Sequence, residues 1–303
     1  MSKPLGDKVA VVTGATRGAG RAIAVELGAA GATVFVGGRT SGEHRSWMDR
    51  SETIEETVEL VDAAGGRGIA LRCDFTVVED VDALRDRIES EVDGRLDVLV
   101  DNAWGGNPLT EFGKPIWEQD LDKGLRMWRN GVESHFVALN RLLPLLVRRP
   151  GGLLVEVTDG DGDQPYSTSL FYDAVKDTLR MFGRRLAEEL KPFGGTAVAL
   201  TPGFLRSEEM LDILGVTEQN WRDAEDPNYA MSETPNYVGR AVVALATDPD
   251  VARWSGRTLS SWGLMREYGF TDLDGTRPDW GRWFDEVLLA GVDPATADPG
   301  EYR

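Results

Sequence analysis

The sequence predicts an α/β fold built on a doubly wound parallel sheet. Two observations carry this. Short apolar runs alternate with segments whose apolar residues recur at helical spacing, and that rhythm builds a parallel sheet with helices on both faces. The first apolar run, Val9-Ala10-Val11-Val12, leads directly into Thr13-Gly14-Ala15-Thr16-Arg17-Gly18-Ala19-Gly20, and an amphipathic segment follows. In the order strand, glycine-rich turn, helix, the glycines let backbone approach a ligand and the helix start offers free N–H groups to a phosphate.

The elements then come in order. Residues 21–30 form the first helix, 33–36 a strand, and 53–64 a helix by its apolar spacing. Residues 69–71 are a short strand and 81–92 a helix. Residues 96–100 are a strand ending at Asp101-Asn102, and 121–147 a long helical region with Pro144 near its end. Residues 153–157 are a strand, 169–190 a helix, and 196–200 a strand closed by Pro202-Gly203. Such a sheet places its ligand beyond the C-terminal strand ends. Residues 39–51 read as a polar surface loop without regular structure, and 204–238 as a mobile helical excursion, a lid beside the site. We expect a single domain over 1–303, with a core of about 7–262. The tail, 263–303, is rich in Asp, Gly, Pro and Trp and too short for a domain of its own.

A formal net charge of -18 leaves no basic footprint, so nucleic acid and anionic membrane surfaces are not expected partners. The single cysteine, Cys73, can form no disulfide within the chain, which fits a reducing cytoplasm. Residues 1–7 lack the apolar core of a signal peptide. No apolar run approaches membrane-spanning length; 142–147 is short and contains Pro144. His44 and His135 are the only histidines, so no zinc site of the Cys/His kind is expected. Asp159-Gly160-Asp161-Gly162-Asp163 has the look of a calcium loop. Its sixth position is Gln164 rather than Gly and its twelfth Leu170 rather than Glu, so it reads as an acidic, flexible loop and no metal is expected.

The glycine spacing, G-x-x-x-G-x-G, differs from the general dinucleotide pattern G-x-G-x-x-G. In its strand-to-helix context it still points to a dinucleotide, held by Gly14, Thr16, Arg17, Gly18 and Gly20. Dinucleotide folds place an acid at the end of the second strand to hold the ribose 2′-OH. Here that strand runs into Gly37-Gly38-Arg39-Thr40, and Arg39 stands where the acid is missing. Arg17 lies in the turn. Two guanidinium forks suit a 2′-phosphate, so the expected cofactor is NADP(H).

With these motifs in order, the chain resembles the short-chain dehydrogenase/reductase family, a Rossmann-type fold, over about residues 7–262. Asp74 follows the third strand, where the resemblance implies a contact with adenine. Asp101-Asn102-Ala103 resembles the family's Asn-Asn-Ala-Gly, with Trp104 in place of the glycine. Tyr172-Asp173-Ala174-Val175-Lys176 matches Tyr-x-x-x-Lys. Pro202-Gly203-Phe204-Leu205-Arg206-Ser207 matches the segment beside the nicotinamide, with Ser207 in the usual Thr place. The middle of the chain and its Arg-Glu-Tyr-Gly-Phe tail look closest to the subgroup called dehydrogenase/reductase member one. The resemblance implies a homodimer or homotetramer.

Tyr172 and Lys176, four apart on a helix, share a face. A nearby ammonium favours phenolate and makes the tyrosine a usable general acid for ketone reduction, or base for alcohol oxidation. The resemblance implies that Lys176 also reaches the nicotinamide ribose. Thirteen residues before the tyrosine the family has a serine that donates to the substrate oxygen; here Asp159 stands there, one residue after Thr158. An ionised carboxylate cannot donate. Three readings stand open. Asp159 is kept protonated by a dry pocket and donates; or it is ionised and stabilises a cationic substrate such as an iminium; or it points away, leaving Tyr172 to work alone. The family's fourth catalytic residue is an asparagine in the central helix. A gapless match puts Arg129 there, and Asn130, the nearest candidate, one step off, a rotation of about 100°. His135 reads as a packed or capped helix residue. Of Trp104, Trp117, Trp128 and Trp221, Trp104 is the candidate lining residue because it adjoins the nicotinamide motif. The expected activity is NADP(H)-dependent reduction of a carbonyl on a small organic substrate. The rivals are imine or iminium reduction and a non-catalytic NADP(H)-binding regulator.

Overall fold

The computed structural model describes residues 3–45, 47–162 and 167–303. Met1 and Ser2 of the segment read for a leader, and Asp163 and Gln164 of the acidic loop, lie outside the described residues. Among the described residues seven strands form one sheet: β1 Val9–Val12, β2 Thr33–Gly38, β3 Arg67–Arg72, β4 Val98–Asp101, β5 Leu153–Val157, β6 Thr196–Thr201 and β7 Thr258–Ser260. Their order is β3-β2-β1-β4-β5-β6-β7, and every pair is parallel. The strand order reverses between β1 and β4, and that switch point opens the crevice in which such sheets bind ligands. β1, β4, β5 and β6 are buried along their whole length, which is why they read as continuous apolar runs rather than alternating ones.

The helices are α1 Gly18–Ala29, α2 Ile54–Ala63, α3 Val78–Val92, α4 Leu121–Trp128, α5 Ser134–Leu146, α6 Leu170–Leu190, α7 Glu208–Ile213, α8 Pro235–Thr247 and α9 Ser261–Tyr268. On one face of the sheet Ile23 and Leu27 of α1 share a core with Val61 of α2 and with Val238 and Val242 of α8. On the other, Leu84 and Ile88 of α3 pack with Leu142 and Leu146 of α5 and with Phe182 of α6.

Four features depart from the sequence expectation. α1 starts at Gly18, three residues early, because the turn feeds its last glycines into the first helical turn. The central helix is not one α-helix: a π turn, Arg129–Glu133, joins α4 to α5. β7, three residues long, is too short to show a period. The excursion expected over 204–238 closes earlier, because Leu205 pairs with Glu233 and residues from Pro235 onward belong to α8. Two backbone bonds clamp that base, Arg206 N–H to Glu233 O and Glu233 N–H to Phe204 O. Within it Val216, Trp221 and Tyr229 form a small core of their own. The tail packs Trp280 and Trp283 against Met231 and Trp262, so it seals the lid base. No helix among the described residues is long and apolar enough to cross a membrane.

The α1–α8 layer generates a stability prediction. Ile23 is fully buried in it, so Ile23→Ala should cost about 2–5 kcal/mol. Urea unfolding should show a lower midpoint with unchanged slope.

Candidate active site

The site begins with a joint between two strand ends. The Thr13 hydroxyl, past β1, donates to Asp101 Oδ1 at 2.7 Å and accepts from the N–H groups of Asn102 and Ala103 at 2.8 and 2.9 Å, past β4. The Asn102 amide donates back to the carbonyls of Thr13 and Gly14 at 3.1 and 3.2 Å. The glycines are needed for closeness. Gly14 has φ +61°, and a Cβ there would lie 2.9 Å from Ala103 Cα. A Cβ on Gly20 would collide with the Gly14 carbonyl and the Asn102 side chain.

A cleft of about 670 Å³ opens above this joint. Every residue assigned from the sequence to the cofactor or the reaction lines it: Gly14, Thr16, Arg17, Gly18, Gly20, Arg39, Asp74, Asn102, Asn130, Asp159, Tyr172, Lys176, Pro202 and Gly203. At the glycine end, Arg39 lies 4.0 Å from Asp74 and Arg17 lies 3.4 Å from Glu52. Burial works against the charge of both guanidiniums; Glu52 and Asp74 offset it. Asp74 itself accepts from the Thr76 N–H and hydroxyl, which holds the loop after β3. The loop expected to be only surface carries Trp47 and Met48 into the cleft, and the Arg126 guanidinium of α4 covers the Trp47 ring at 4.1 Å. Nothing in a polar 13-residue stretch signals that inward turn, because it is set by a partner on a distant helix.

At the other end, Asp159 follows β5 and Tyr172 and Lys176 project from α6. The Tyr172 hydroxyl donates to Asp159 Oδ2 at 2.5 Å. Asp159 does not point away, so that reading is removed. Its Oδ1 accepts from the Gly160 N–H at 2.9 Å. Burial raises the Asp159 carboxyl above its ordinary range, against the pull of Lys176 and the Tyr172 hydrogen bond. Burial also lowers Lys176 to about 8, with Asp159 opposing. Thr158 cannot replace the family's serine: its hydroxyl is buried and donates to the Lys176 carbonyl at 2.7 Å.

Trp104 fills the space above Lys176. The Nζ lies 4.0 Å from its ring centre, and the ring meets Tyr172 edge-on at 5.7 Å. Gly131 makes room, since a Cβ there would lie 2.9 Å from the indole. Phe112 approaches Tyr172 from another side at 5.8 Å, and Trp280 of the tail also lines the cleft. Trp117 and Trp128 are exposed, and Trp221 sits in the lid core.

The π turn resolves the phase of the central helix. A π turn accommodates one extra residue, which compensates a one-step offset. Asn130 is therefore buried and faces the cleft, donating to the Gly105 carbonyl at 3.3 Å, while Arg129 is exposed. A π turn leaves no mark in apolar spacing, so the sequence alone offers Asn130 as the candidate without the reason for its one-step offset.

Two groups support the site from beneath: His135, packed in its helix as the sequence reading has it but with partners that reading did not foresee, and Glu233, which it missed. His135 is fully buried between Glu156, 2.8 Å from Nδ1, and the Ala103 carbonyl, 3.0 Å from Nε2, with Asp101 Oδ2 3.5 Å from Nδ1. The carbonyl only accepts, so Nε2 carries a proton. Burial lifts Glu156 well above the usual carboxylate range and Asp101 to about 7. With Nδ1 on Glu156 and Nε2 on the Ala103 carbonyl, the set reads as a hydrogen-bonded support for Ala103 rather than a metal centre. Glu233, likewise raised to about 8 by burial, accepts from Ser261 at 2.7 Å and from the Gly203 N–H, which fixes the Pro202-Gly203 segment.

Comparison with known proteins identifies the family. The short chain dehydrogenase family profile matches residues 8–214. The mouse protein dehydrogenase/reductase SDR family member 1 is 32% identical over 280 residues, covering 91% of this chain and 86% of its own. Among solved structures, a short chain dehydrogenase homologue from Mycobacterium thermoresistibile superposes with a TM-score of 0.75 at 22% identity, covering 92% of each chain. L-sorbose reductase from Gluconobacter frateurii, complexed with NADPH and L-sorbose, superposes with a TM-score of 0.70 at 23% identity, covering 86% of this chain and 97% of its own. The protein belongs to the short-chain dehydrogenase/reductase family of oxidoreductases.

Proposed function

We propose that this protein is an NADP(H)-dependent reductase acting on the carbonyl of a small organic substrate, with Tyr172 as proton donor. The observation that carries the reading is the 2.5 Å contact between Tyr172 and Asp159, beside Lys176, in the same cleft as the glycine turn. The residues fit the cofactor. α1 has no capping side chain and no acid in its first turn, so its N–H groups suit a diphosphate. Arg39, whose acidic neighbour Asp74 lies 4.0 Å away, suits the 2′-phosphate, and Arg17 adds a second guanidinium at the glycine turn. The cofactor supplies the hydride.

The chain supplies the proton and its control. As hydride reaches the carbonyl carbon, negative charge grows on the oxygen, and the Tyr172 hydroxyl turns its proton to it. Asp159, whose carboxyl burial raises above its ordinary range, passes a proton to the Tyr172 oxygen across the 2.5 Å contact when it is in its acid form. The negative charge ends on Asp159, where the Lys176 ammonium offsets it. Trp104 and Phe112 keep water from the substrate side of Tyr172. Asn130 holds the backbone beside Trp104 through Gly105.

One observation favours the rival chemistry. The Gly160 N–H and, at 3.5 Å, the Thr201 hydroxyl point at Asp159 Oδ1 and stabilise the carboxylate. An ionised Asp159 would suit an iminium, which needs charge stabilisation and no proton. Tyr172, Lys176 and Asp159 converging in one cleft favours an enzyme over a non-catalytic regulator. An exposed apolar stripe, Leu121, Leu125 and Trp128 on α4, supports a homodimer or homotetramer, and we place the protein in the cytoplasm.

The pH dependence follows from the directions of the shifts. A raised Asp159 donates only below its pKa, and Lys176 loses its charge above about 8, so ketone reduction should fall as pH rises through both. Asp159→Asn should slow ketone reduction and leave a single limb in the pH–rate profile, moved below about 8 because Lys176 loses the neighbour that raises it. If Asp159→Asn keeps its ketone rate and loses cyclic-imine reduction, the iminium reading replaces ours. Arg39→Ala should weaken NADPH binding roughly 10- to 100-fold, as for a lost charged hydrogen bond, and leave NADH binding nearly unchanged. Calorimetric titration with both cofactors checks this.

A further inference from the structure

Glu208 opens α7, the helix of the lid, yet its carboxylate lies at the glycine turn, 190 positions away in sequence. Oε2 accepts from the Gly18 N–H at 2.9 Å, and Oε1 lies 3.9 Å from Arg21 Nη1. Gly18 is the first residue of α1, a helix with no capping side chain and no acid in its first turn. On the same face α2 has a complete capping box with Thr53 and Glu56, whereas α8, which opens on Pro235, is uncapped as well. Glu208 therefore supplies from a distance the negative charge that α1 lacks.

The lid is held down around this contact by two more acids. Glu209 accepts from Asn107, which itself accepts from the Trp104 indole at 2.6 Å, and Asp212 accepts from Arg50 at 2.9 Å. Ser207 and Glu208 are the side chains nearest Gly18, 3.7 and 4.0 Å from where its Cβ would be. A diphosphate resting on the first turn of α1 needs the same N–H and the same positive field, and two anions cannot share them.

We propose that Glu208 is a displaceable stand-in for the cofactor diphosphate, a residue that sets cofactor affinity by competing for the Gly18 N–H and links cofactor entry to movement of α7. This rests on the NADP(H) reading above. Cofactor entry breaks the Gly18–Glu208 bond and frees the start of α7. Cofactor loss lets the carboxylate return and closes the lid on an empty glycine turn. Glu208 is one-third exposed, so it can swing outward without being stranded in an apolar core.

The test is calorimetric titration of the full chain with NADPH and with 2′-AMP, which carries no diphosphate. Glu208→Gln keeps the size and removes the charge, and Glu208→Ala removes the reach as well. Glu225→Gln alters an exposed acid elsewhere on the lid. We expect both Glu208 variants to bind NADPH roughly three- to tenfold more tightly than the parent, the scale of a charge at a helix terminus. 2′-AMP should bind all four proteins alike, and Glu225→Gln should match the parent for NADPH. Unchanged or weaker NADPH binding in both Glu208 variants, with the parent binding normally, overturns the proposal and leaves the cofactor reading intact. An equal gain in Glu225→Gln assigns the effect to overall charge and overturns it too. A folded parent that binds no NADPH overturns the cofactor reading and this proposal together.

Discussion

One hydroxyl holds the two halves of the cleft together. Thr13 Oγ1 is buried, and it uses its one proton and both lone pairs across the gap between β1 and β4. That gap is the switch point of the sheet, where chain direction around the sheet reverses and no side chain of a neighbouring strand fills the space. Without a polar tie, the glycine turn and the Asn102-Ala103-Trp104 segment would be two independent loops. With it they form one floor, and Ala103 is held again from below by His135. The buried acids Asp101 and Glu156 are tolerable because each meets a hydrogen-bond partner there.

Above that floor, burial does the electrostatic tuning. Asp159 and Lys176 are opposite in sign and share the cleft with Tyr172. Desolvation pushes the acid up and the amine down, and each partner resists the other's shift. Trp104 lays an aromatic face over the ammonium where the family has glycine, an attraction that favours the charged amine. The replacement requires space, and Gly131 on the π turn provides it.

Much of this was legible in the chain. The glycine turn, the arginine after β2, the Tyr-Lys pair and the odd aspartate were all readable because each is local: a strand end, a short turn, or four residues of one helix. They do line a single cleft. What could not be read has a common cause. Trp47 enters the cleft because Arg126 stacks on it; Trp280 arrives from the tail because Met231 and Trp262 receive it. Asn130 turns inward because of a π turn, and His135 became a support only when Glu156 and Ala103 met it. Each depends on a partner far away in sequence.

The sequence by itself determined the alternation of strands and helices, the location of the glycine turn and which side chains meet in the cleft, because periodicity and turn chemistry act over a few residues. Only the tertiary structure decided where Asp159 points, which face Asn130 presents, and that an acid from the lid rests on the start of α1. Those outcomes hang on packing between segments tens to hundreds of residues apart, where free energy is minimised over the whole fold and no local pattern records the result.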